Sequence, residues 1–331
     1  MPELISYLIY LSPILVVIVL CRGDLHYATH EAALFALIFA FCILGLREDV
    51  GYDYAHYTNF YYSEYFSPEL LSKALLAITL PLDSHYWYIA IHGLITIFFI
   101  YLTYRREKKV FLLLSFLCLP YFFLESFTIM RQEVAIAISF YAYSLFRSRD
   151  KRFFFWIIAA AGFHYSSIVF SLILCSIWNE KRYKIVLLFL FAVATAVLIN
   201  HIISIVEIIY PRTTFYDGRN TTGVKFLVFS LALFLLSLDK TEKLTHYFIV
   251  SIGLLICGTA LKVDAVFIRL SYYFFIPICF LSWKRIFYSI KVTQATPFMA
   301  LIFSYFLFIT VRTGDFSGSL VPYNSILGEI Q

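Results

Sequence analysis

Charged residues are scarce in this sequence. Only 14% of its 331 residues are Asp, Glu, Lys or Arg, whereas 61% are hydrophobic, and the mean hydropathy is +0.82. Soluble domains usually carry about 25% charged and about 45–50% apolar residues. The scarcity of charge therefore excludes an ordinary soluble domain and predicts an integral membrane protein.

The signatures of several enzyme classes are also missing. The sequence contains no HExxH pair, glycine-rich phosphate loop, Asp-x-Asp pair or Ser-His-Asp elbow, so hydrolases of those types and nucleotide-driven chemistry have no support. The six cysteines show no CxxC spacing, so neither a zinc site nor a disulfide framework is indicated. His85 and His92 have no acidic residue at ligand spacing. We therefore expect neither a bound metal nor a cofactor.

Long apolar segments are the most prominent feature of the sequence. A helix that crosses about 30 Å of hydrocarbon needs about 20 mainly apolar residues. By this criterion the sequence predicts an all-α, polytopic membrane protein with about ten transmembrane helices, forming a single domain over residues 1–331. The predicted helices span residues 4–21, 28–46, 84–104, 110–124, 127–146, 185–209, 224–238, 246–261, 268–283 and 296–311.

Basic residues predict the orientation of these helices. Lys and Arg cluster in five loops, and basic loops of membrane proteins face the cytoplasm. Segments 47–83, 210–223 and 312–331 would then face the extracytoplasmic side. This asymmetry explains the net charge of +5, and no nucleic acid partner is needed to account for it. The basic loops comprise residues 105–109, 147–152, 181–184, 240–243 and 284–291.

One apolar run, residues 153–178, lies between two of these basic loops. Two interpretations reconcile this: a re-entrant helical hairpin that turns at residues 162–167, or a single long tilted helix. Irregular backbone at that depth must be covered by protein or line a water-filled cavity, and such broken helices often form binding sites in transporters. In both interpretations His164 lies about eleven residues from the cytoplasmic end, which is near the bilayer midplane.

A further segment, residues 67–82, follows the first large outer loop and is amphipathic. It must begin and end on the extracytoplasmic side if the neighbouring helices are placed correctly. We therefore expect this segment to lie on the extracytoplasmic face of the membrane or to dip into it.

Two polar residues, Arg131 and His164, interrupt otherwise apolar helices. A charge at mid-bilayer costs about 3 kcal/mol or more, so ionisable residues there usually line a cavity and carry function. Two other interpretations stay open: Arg131 reaches up to the lipid headgroups, and His164 is a hydrogen-bonded group in helix packing. Arg269, at the outer start of its predicted helix, allows the same two interpretations as Arg131.

The first large outer loop supplies further candidate residues. Gly51 suits a turn with positive φ, which would place Arg47 beside Asp53. Guanidinium groups bind phosphate bidentately and keep their charge. Arg47, Arg131 and Arg269 at one membrane interface therefore suggest a polyanionic lipid headgroup, such as a diphosphate. The tyrosines of this loop serve as interfacial anchors, as platforms for sugar rings, or as both.

These residues lie in five short motifs. The motifs are Arg47-x3-Gly51-x-Asp53-x3-Tyr57, Met130-Arg131-Gln132 with Ala135, Phe163-His164-Tyr165-Ser166, Arg269-Leu270-Ser271-Tyr272-Tyr273, and Val321-Pro322-Tyr323. Together they resemble the EpsG-like branch of the Wzy-type polysaccharide polymerases, and the resemblance covers residues from about 45 to 325. Members of that branch are polytopic enzymes that join lipid-linked oligosaccharide repeat units during O-antigen, capsule or exopolysaccharide synthesis.

The resemblance implies a metal-independent membrane glycosyltransferase whose active site faces the extracytoplasmic side of the bacterial plasma membrane. The donor would be an undecaprenyl diphosphate-linked glycan. The non-reducing-end hydroxyl of a second lipid-linked glycan, the acceptor, would attack the anomeric carbon of the donor. The resemblance also implies that membrane lipid would surround the protein. A chain-length regulator protein would be a further partner.

Site residues follow from the resemblance and from the chemistry that it implies. Arg131 and Arg269 would bind the diphosphate, with Arg47 assisting, because cations are needed where charge develops. His164 would be the base for the acceptor hydroxyl or would hydrogen-bond a phosphate oxygen, and Asp53 would be the rival base. The tyrosines expected to contact the substrate are Tyr57, Tyr165 and Tyr272.

A transporter or flippase for a lipid-linked or anionic solute is the alternative class. It would also need arginines and a broken helix near the midplane. Inverted repeats would favour a transporter, and the sequence shows none. The polymerase interpretation requires that Arg47, Asp53, Arg131, His164 and Arg269 converge on one outward-facing cavity.

Overall fold

The fold is helical throughout the part of the chain that the computed structural model describes. The described residues contain no β-strand, and an isolated antiparallel bridge pairs the backbones of Arg47 and Ser325. The predicted all-α class is therefore confirmed for these residues. The structure describes residues 2–20, 30–62, 69–108, 110–119, 121–177, 253–254, 268–277, 279–280, 320, 323 and 325–327.

Most of the described helices lie within the first 177 residues. Two 3-10 helices, Leu80–Leu82 and Glu125–Phe127, extend or precede α-helices, and residues 268–277 are also helical. The α-helices are α1 (Pro2–Leu20), α2 (His30–Gly45), α3 (Tyr54–Tyr62), α4 (Leu70–Thr79), α5 (His85–Glu107), α6 (Val110–Cys118), α7 (Met130–Arg147), α8 (Phe153–Phe163) and α9 (Ser167–Ile177).

Helix α5 is long and apolar enough to cross a membrane. The predicted spans in the first half of the chain coincide with α1, α2, α5 and α7, while α6 is shorter than its predicted span. Shorter apolar helical stretches of 10–17 residues among the described residues include Leu4–Val17 within α1, His30–Gly45, Leu70–Leu82 and Phe153–Phe163. The predicted spans that lie outside the described residues are 185–209, 224–238, 296–311 and most of 246–261.

Helix α7 forms the centre of the first half of the chain. It packs against both α5 and α8, and α5 also packs against α2. Nearly every side chain of α7 is buried, because small and apolar residues such as Ala135, Ser139 and Ala142 permit close approach of the neighbouring helices. Gln132 and Glu133 at the start of α7 are therefore enclosed by protein, whereas Arg131 is partly exposed.

The ends of α5 and α7 that carry basic residues lie side by side. Arg147 forms an ion pair with Glu107 at 3.0 Å, and Arg106 donates a hydrogen bond to the hydroxyl of Ser148. The basic loops after α5 and α7 are thus on the same side of the helix bundle, as the charge distribution predicted. The assignment of this side to the cytoplasm stays a prediction.

The predicted amphipathic segment contains α4 and the 3-10 helix that follows it. Leu75 and Leu76 are buried, whereas Leu70 and Ile78 are exposed. The buried side of α4 packs on α5 and α8. A helix with one buried side is therefore confirmed in this segment, whereas its amphipathic character and its position at a membrane surface stay predictions, because apolar residues also lie on the exposed side.

The apolar run at 153–178 contains a break. Helix α8 ends at Phe163 and α9 begins at Ser167, with His164 in an extended conformation between them. This excludes one uninterrupted helix, and the break falls within the predicted turn. The re-entrant course of the hairpin stays a prediction.

The chain divides into two compact units. One unit comprises Met1–Ser167 together with Phe287–Gln331, and the other comprises Ile168–Ile286. In the second unit Phe170 stacks on Tyr273, with ring centroids 6.0 Å apart, and meets Phe274 edge-on. The grouping of both units into a single transmembrane domain stays a prediction.

Candidate functional site

The predicted turn before α3 is confirmed. Asp49 and Gly51 both have positive φ, of 49° and 103°. A Cβ atom built on Gly51 would lie 1.9 Å from the carbonyl oxygen of Phe127. Glycine is therefore required here both for its backbone conformation and for the close approach of two chain segments. The turn seats the loop that follows α2 on the segment that leads into α7.

Arg47 lies directly before this turn and is only 1% exposed. Its Nη1 donates to the carbonyl oxygen of Ser126 at 3.1 Å, its Nη2 approaches Sδ of Met130 at 3.8 Å, and its Cζ lies 5.1 Å from the ring centroid of Phe127. No carboxylate within the described ranges pairs with this guanidinium. Burial lowers the pKa of Arg47 to about 10, so its side chain is still charged near neutral pH.

Arg131, in the first turn of α7, has a different environment. Its Nη1 donates to Oε2 of Glu69 at 2.7 Å, and the two side chains are 15% and 6% exposed. Its Cζ lies 5.9 Å from the ring centroid of Tyr57. The guanidinium is thus held by protein groups from α3 and from the residue before α4.

One turn at the start of α4 connects Arg131 to the helix break. Glu69 accepts from Arg131, and three residues later the hydroxyl of Ser72 donates to the carbonyl oxygen of Phe163 at 3.0 Å. That carbonyl belongs to the last turn of α8, where backbone acceptors have no partner within the helix. The structure therefore brings Arg131 and the segment bearing His164 to the same turn of α4, although they are far apart in sequence.

His164 lies at the break and is half-buried. Its Nδ1 is 2.6 Å from the hydroxyl oxygen of Ser166 and accepts the backbone N–H of Ser166 at 3.2 Å. Its own carbonyl oxygen accepts the N–H of Ser167 at 3.1 Å. Tyr165 beside it is 51% exposed. The break is thus a hydrogen-bonded turn that fixes the imidazole.

An aromatic cluster links the two arginines. It is formed by α3, α4, α5 and the first residue of α7, and Phe163 packs against it. Tyr57 belongs to it and contacts Arg131, and Met130 belongs to it and lies 3.8 Å from Nη2 of Arg47. The buried members are Tyr54, Tyr57, Tyr61, Leu75, Leu76, Tyr88, Ile89 and Met130.

Three residues of this region were not predicted. Glu69 pairs with Arg131, and the hydroxyl of Tyr88 and Nε2 of His92 are buried without a hydrogen-bond partner among the described residues. Tyr88 and His92 are four residues apart on α5, so their helical spacing was a signal that both face inward. A single acidic residue before an amphipathic helix gave no comparable signal for Glu69.

The remaining predicted residues fall into two groups. Asp53 is half-buried, and its carbonyl oxygen accepts the N–H of Tyr57 at 2.9 Å, where α3 begins. Arg269 and Tyr272 belong to the second unit, so their predicted convergence with Arg131 stays a prediction.

In the part of the chain that the structure describes, no group of three His, Cys, Asp or Glu side chains could hold a metal ion. The expected metal independence also stays a prediction.

These features together define an all-helical membrane protein with two arginines, an acidic partner and a histidine-bearing helix break around one aromatic cluster. The chain belongs to the EpsG family, which matches residues 32–325. This is a family of Wzy-like membrane proteins related to polysaccharide polymerases, and the resemblance noted in the sequence is thereby confirmed. Searches of the curated proteins and of the solved structures returned no match to this chain.

Proposed function

We propose that this protein is a membrane glycosyltransferase that polymerises undecaprenyl diphosphate-linked oligosaccharide repeat units into a surface polysaccharide. It would act at the extracytoplasmic face of the bacterial plasma membrane. Membership of the EpsG family supports a role in polysaccharide polymerisation. The observation that carries the proposal is the position of Arg131. It lies beside Tyr57 and binds Glu69, and the same turn at the start of α4 also binds Phe163, the residue before His164, through Ser72.

The reaction joins two lipid-linked glycans. An acceptor hydroxyl attacks the anomeric carbon of the donor, the bond from that carbon to the diphosphate breaks, and the lipid diphosphate leaves with the bonding electrons. The hydroxyl proton passes to a base, for which His164 and Asp53 are the candidates. Because a diphosphate is already a good leaving group, catalysis depends chiefly on cations that stabilise the charge developing on it.

Arg131 would supply the principal contact with the diphosphate. Its ion pair with Glu69 holds the guanidinium in place before substrate binds, and a planar guanidinium can accept a second anionic partner because it has five N–H donors. Arg47 would assist through its charge, since its side chain is enclosed. Arg269 is proposed as a further diphosphate ligand, and Tyr165 and Tyr272 as sugar contacts.

Transfer in a reconstituted system tests this proposal. Purified protein in liposomes is supplied with lipid-linked repeat units, and chain lengthening is followed on gels. We expect the wild type to lengthen the glycan, and a chelator to leave the rate unchanged. Strong inhibition that added metal reverses would contradict metal independence and would make Asp49 and Asp53 candidate ligands.

A transporter or flippase is the second candidate, favoured by the helix break at residues 164–166. The same liposomes distinguish the two functions when the leaflet of the lipid-linked glycan is also measured. Movement between leaflets without any lengthening would support the transporter and contradict the polymerase.

A further inference from the structure

The hydrogen bonds at the helix break determine which nitrogen of His164 carries the proton. A backbone amide can only donate, and the N–H of Ser166 points to Nδ1 at 3.2 Å. Nδ1 must therefore present its lone pair. The hydroxyl of Ser166, at 2.6 Å, approaches the same nitrogen and donates to it as well. In the neutral ring the proton then resides on Nε2.

The local backbone maintains this arrangement. His164 ends α8 in an extended conformation, and its carbonyl oxygen accepts the N–H of Ser167. This short turn holds the amide of Ser166 against the imidazole. Because the donor is main chain, the arrangement does not depend on a ligand or on a second element of the fold.

His92 provides an internal contrast. Its Nδ1 lies 2.8 Å from the carbonyl oxygen of Tyr88, and a carbonyl can only accept. The proton of a neutral His92 is therefore on Nδ1 and its lone pair is on Nε2. The two histidines adopt opposite tautomers, each fixed by a backbone group within four residues in the sequence.

We propose that His164 serves as a hydrogen-bond donor to an anionic oxygen of the lipid diphosphate through Nε2–H, and that Ser166 is the residue that fixes this tautomer. A general base must offer an unoccupied lone pair to the proton that it removes. The lone pair of His164 is engaged by Ser166, whereas its N–H is suited to an anionic acceptor. Within the proposed function, on which this inference rests, the acceptor proton then passes to Asp53.

Binding of undecaprenyl diphosphate, with undecaprenol as the uncharged control, tests the donor role without requiring polymerisation. The amide nitrogen of a glutamine lies near the position of Nε2, and that of an asparagine near Nδ1. We expect His164→Gln to retain affinity within about threefold, and His164→Asn and His164→Ala each to lose about tenfold, as for one hydrogen bond to a charged group. Equal losses in all three variants would overturn the donor role.

A change at Ser166 separates positioning from chemistry. Ser166→Ala removes the hydroxyl and keeps the amide that fixes the tautomer. We expect the affinity to fall about threefold, which is less than in His164→Ala. If Ser166→Ala instead lowered the rate of chain lengthening as much as His164→Ala does in the same assay, the hydroxyl would be a nucleophile or proton relay, and the inference would be wrong.

The tautomers can be observed directly. Nitrogen-15 NMR of protein labelled at histidine, assigned with His164→Gln and His92→Gln, should show the N–H of His164 at Nε2 and that of His92 at Nδ1. A proton on Nδ1 of His164, or an imidazolium at neutral pH, would overturn the inference. A wild type that binds the diphosphate and shows these tautomers, yet never lengthens a glycan, would contradict only the proposed function.

Discussion

Arg47 and Arg131 adjoin the same aromatic cluster but lie in different environments. Arg131 is paired with a carboxylate and is partly exposed, whereas Arg47 is almost fully enclosed and contacts a carbonyl oxygen, a thioether and a phenyl ring. Both lie at the same short segment of the chain: Arg47 contacts Met130, and Arg131 is the residue that follows Met130 in the sequence. Under the proposed function, Arg131 would therefore meet the ligand directly, and Arg47 would act on it through its field.

The energetics of the two groups also differ. Breaking a buried ion pair by removing one partner is destabilising because an uncompensated charge remains. At Arg131 this would follow from loss of Glu69, although partial exposure lets water screen the charge. At Arg47 the charge has no acidic partner in the described residues. Replacing it with a neutral residue of similar volume therefore removes the free-energy cost of burying a charge and breaks no ion pair. The following predictions test this difference.

The largest effect is expected from Gly51→Ala, which should lower stability because it disrupts the turn that directly follows Arg47. The new Cβ would meet backbone atoms of Phe127 that cannot move away as a side chain could, and φ is unfavourable for alanine. We expect at least about 3 kcal/mol of destabilisation, measured as a lower unfolding temperature in detergent. Gly253→Ala is the control, since its Cβ would meet nothing within 4 Å among the residues that the structure describes. Equal stability of the two variants would contradict this packing.

Arg131→Ala should have the next largest effect, on activity. Loss of the cation that stabilises the leaving diphosphate should lower chain lengthening by about a hundredfold or more, while protein levels persist. Arg131→Lys should restore little, because an ammonium cannot form the bidentate contact. Rates in liposomes with equal amounts of each variant provide the measurement. Full activity of the alanine variant would remove Arg131 from the site.

Several residues of the candidate site were predictable from the sequence, whereas Glu69, Tyr88 and His92 were not. Arg131 and His164 were found because polar groups are conspicuous in apolar helices, and Gly51 because a turn needed positive φ. Glu69 was missed, because its importance arises from a contact with Arg131, 62 positions away, that no local pattern encodes. The break before α9 belonged to one of the two interpretations that the loop charges allowed, and its hydrogen bonds arise from a three-dimensional geometry that no sequence pattern encodes.

Glu69→Gln tests the ion pair with a smaller expected effect. It leaves the size of the side chain almost unchanged and removes the charge opposite Arg131, so we expect the unfolding temperature to fall by about 2–4 °C, equivalent to about 1 kcal/mol. Undecaprenyl diphosphate should restore this loss, because an anion replaces the carboxylate. Glu107→Gln breaks the comparable pair with Arg147 and serves as the control that the diphosphate should not restore. Equal restoration in both variants would contradict a ligand site at Arg131.

The smallest effect on stability is expected from Arg47→Met. Methionine has a similar reach and no charge, and replacing a buried charge by an apolar residue is often neutral, so the unfolding temperature should change by no more than about 2 °C. Loss of the positive field should weaken diphosphate binding by about tenfold, which is less than the effect of Arg131→Ala on lengthening. A collapse in stability would make Arg47 a structural residue. A loss of binding as large as that in Arg131→Ala would instead indicate that Arg47 touches the diphosphate, which would require its enclosure by Ser126, Phe127 and Met130 to open when substrate binds.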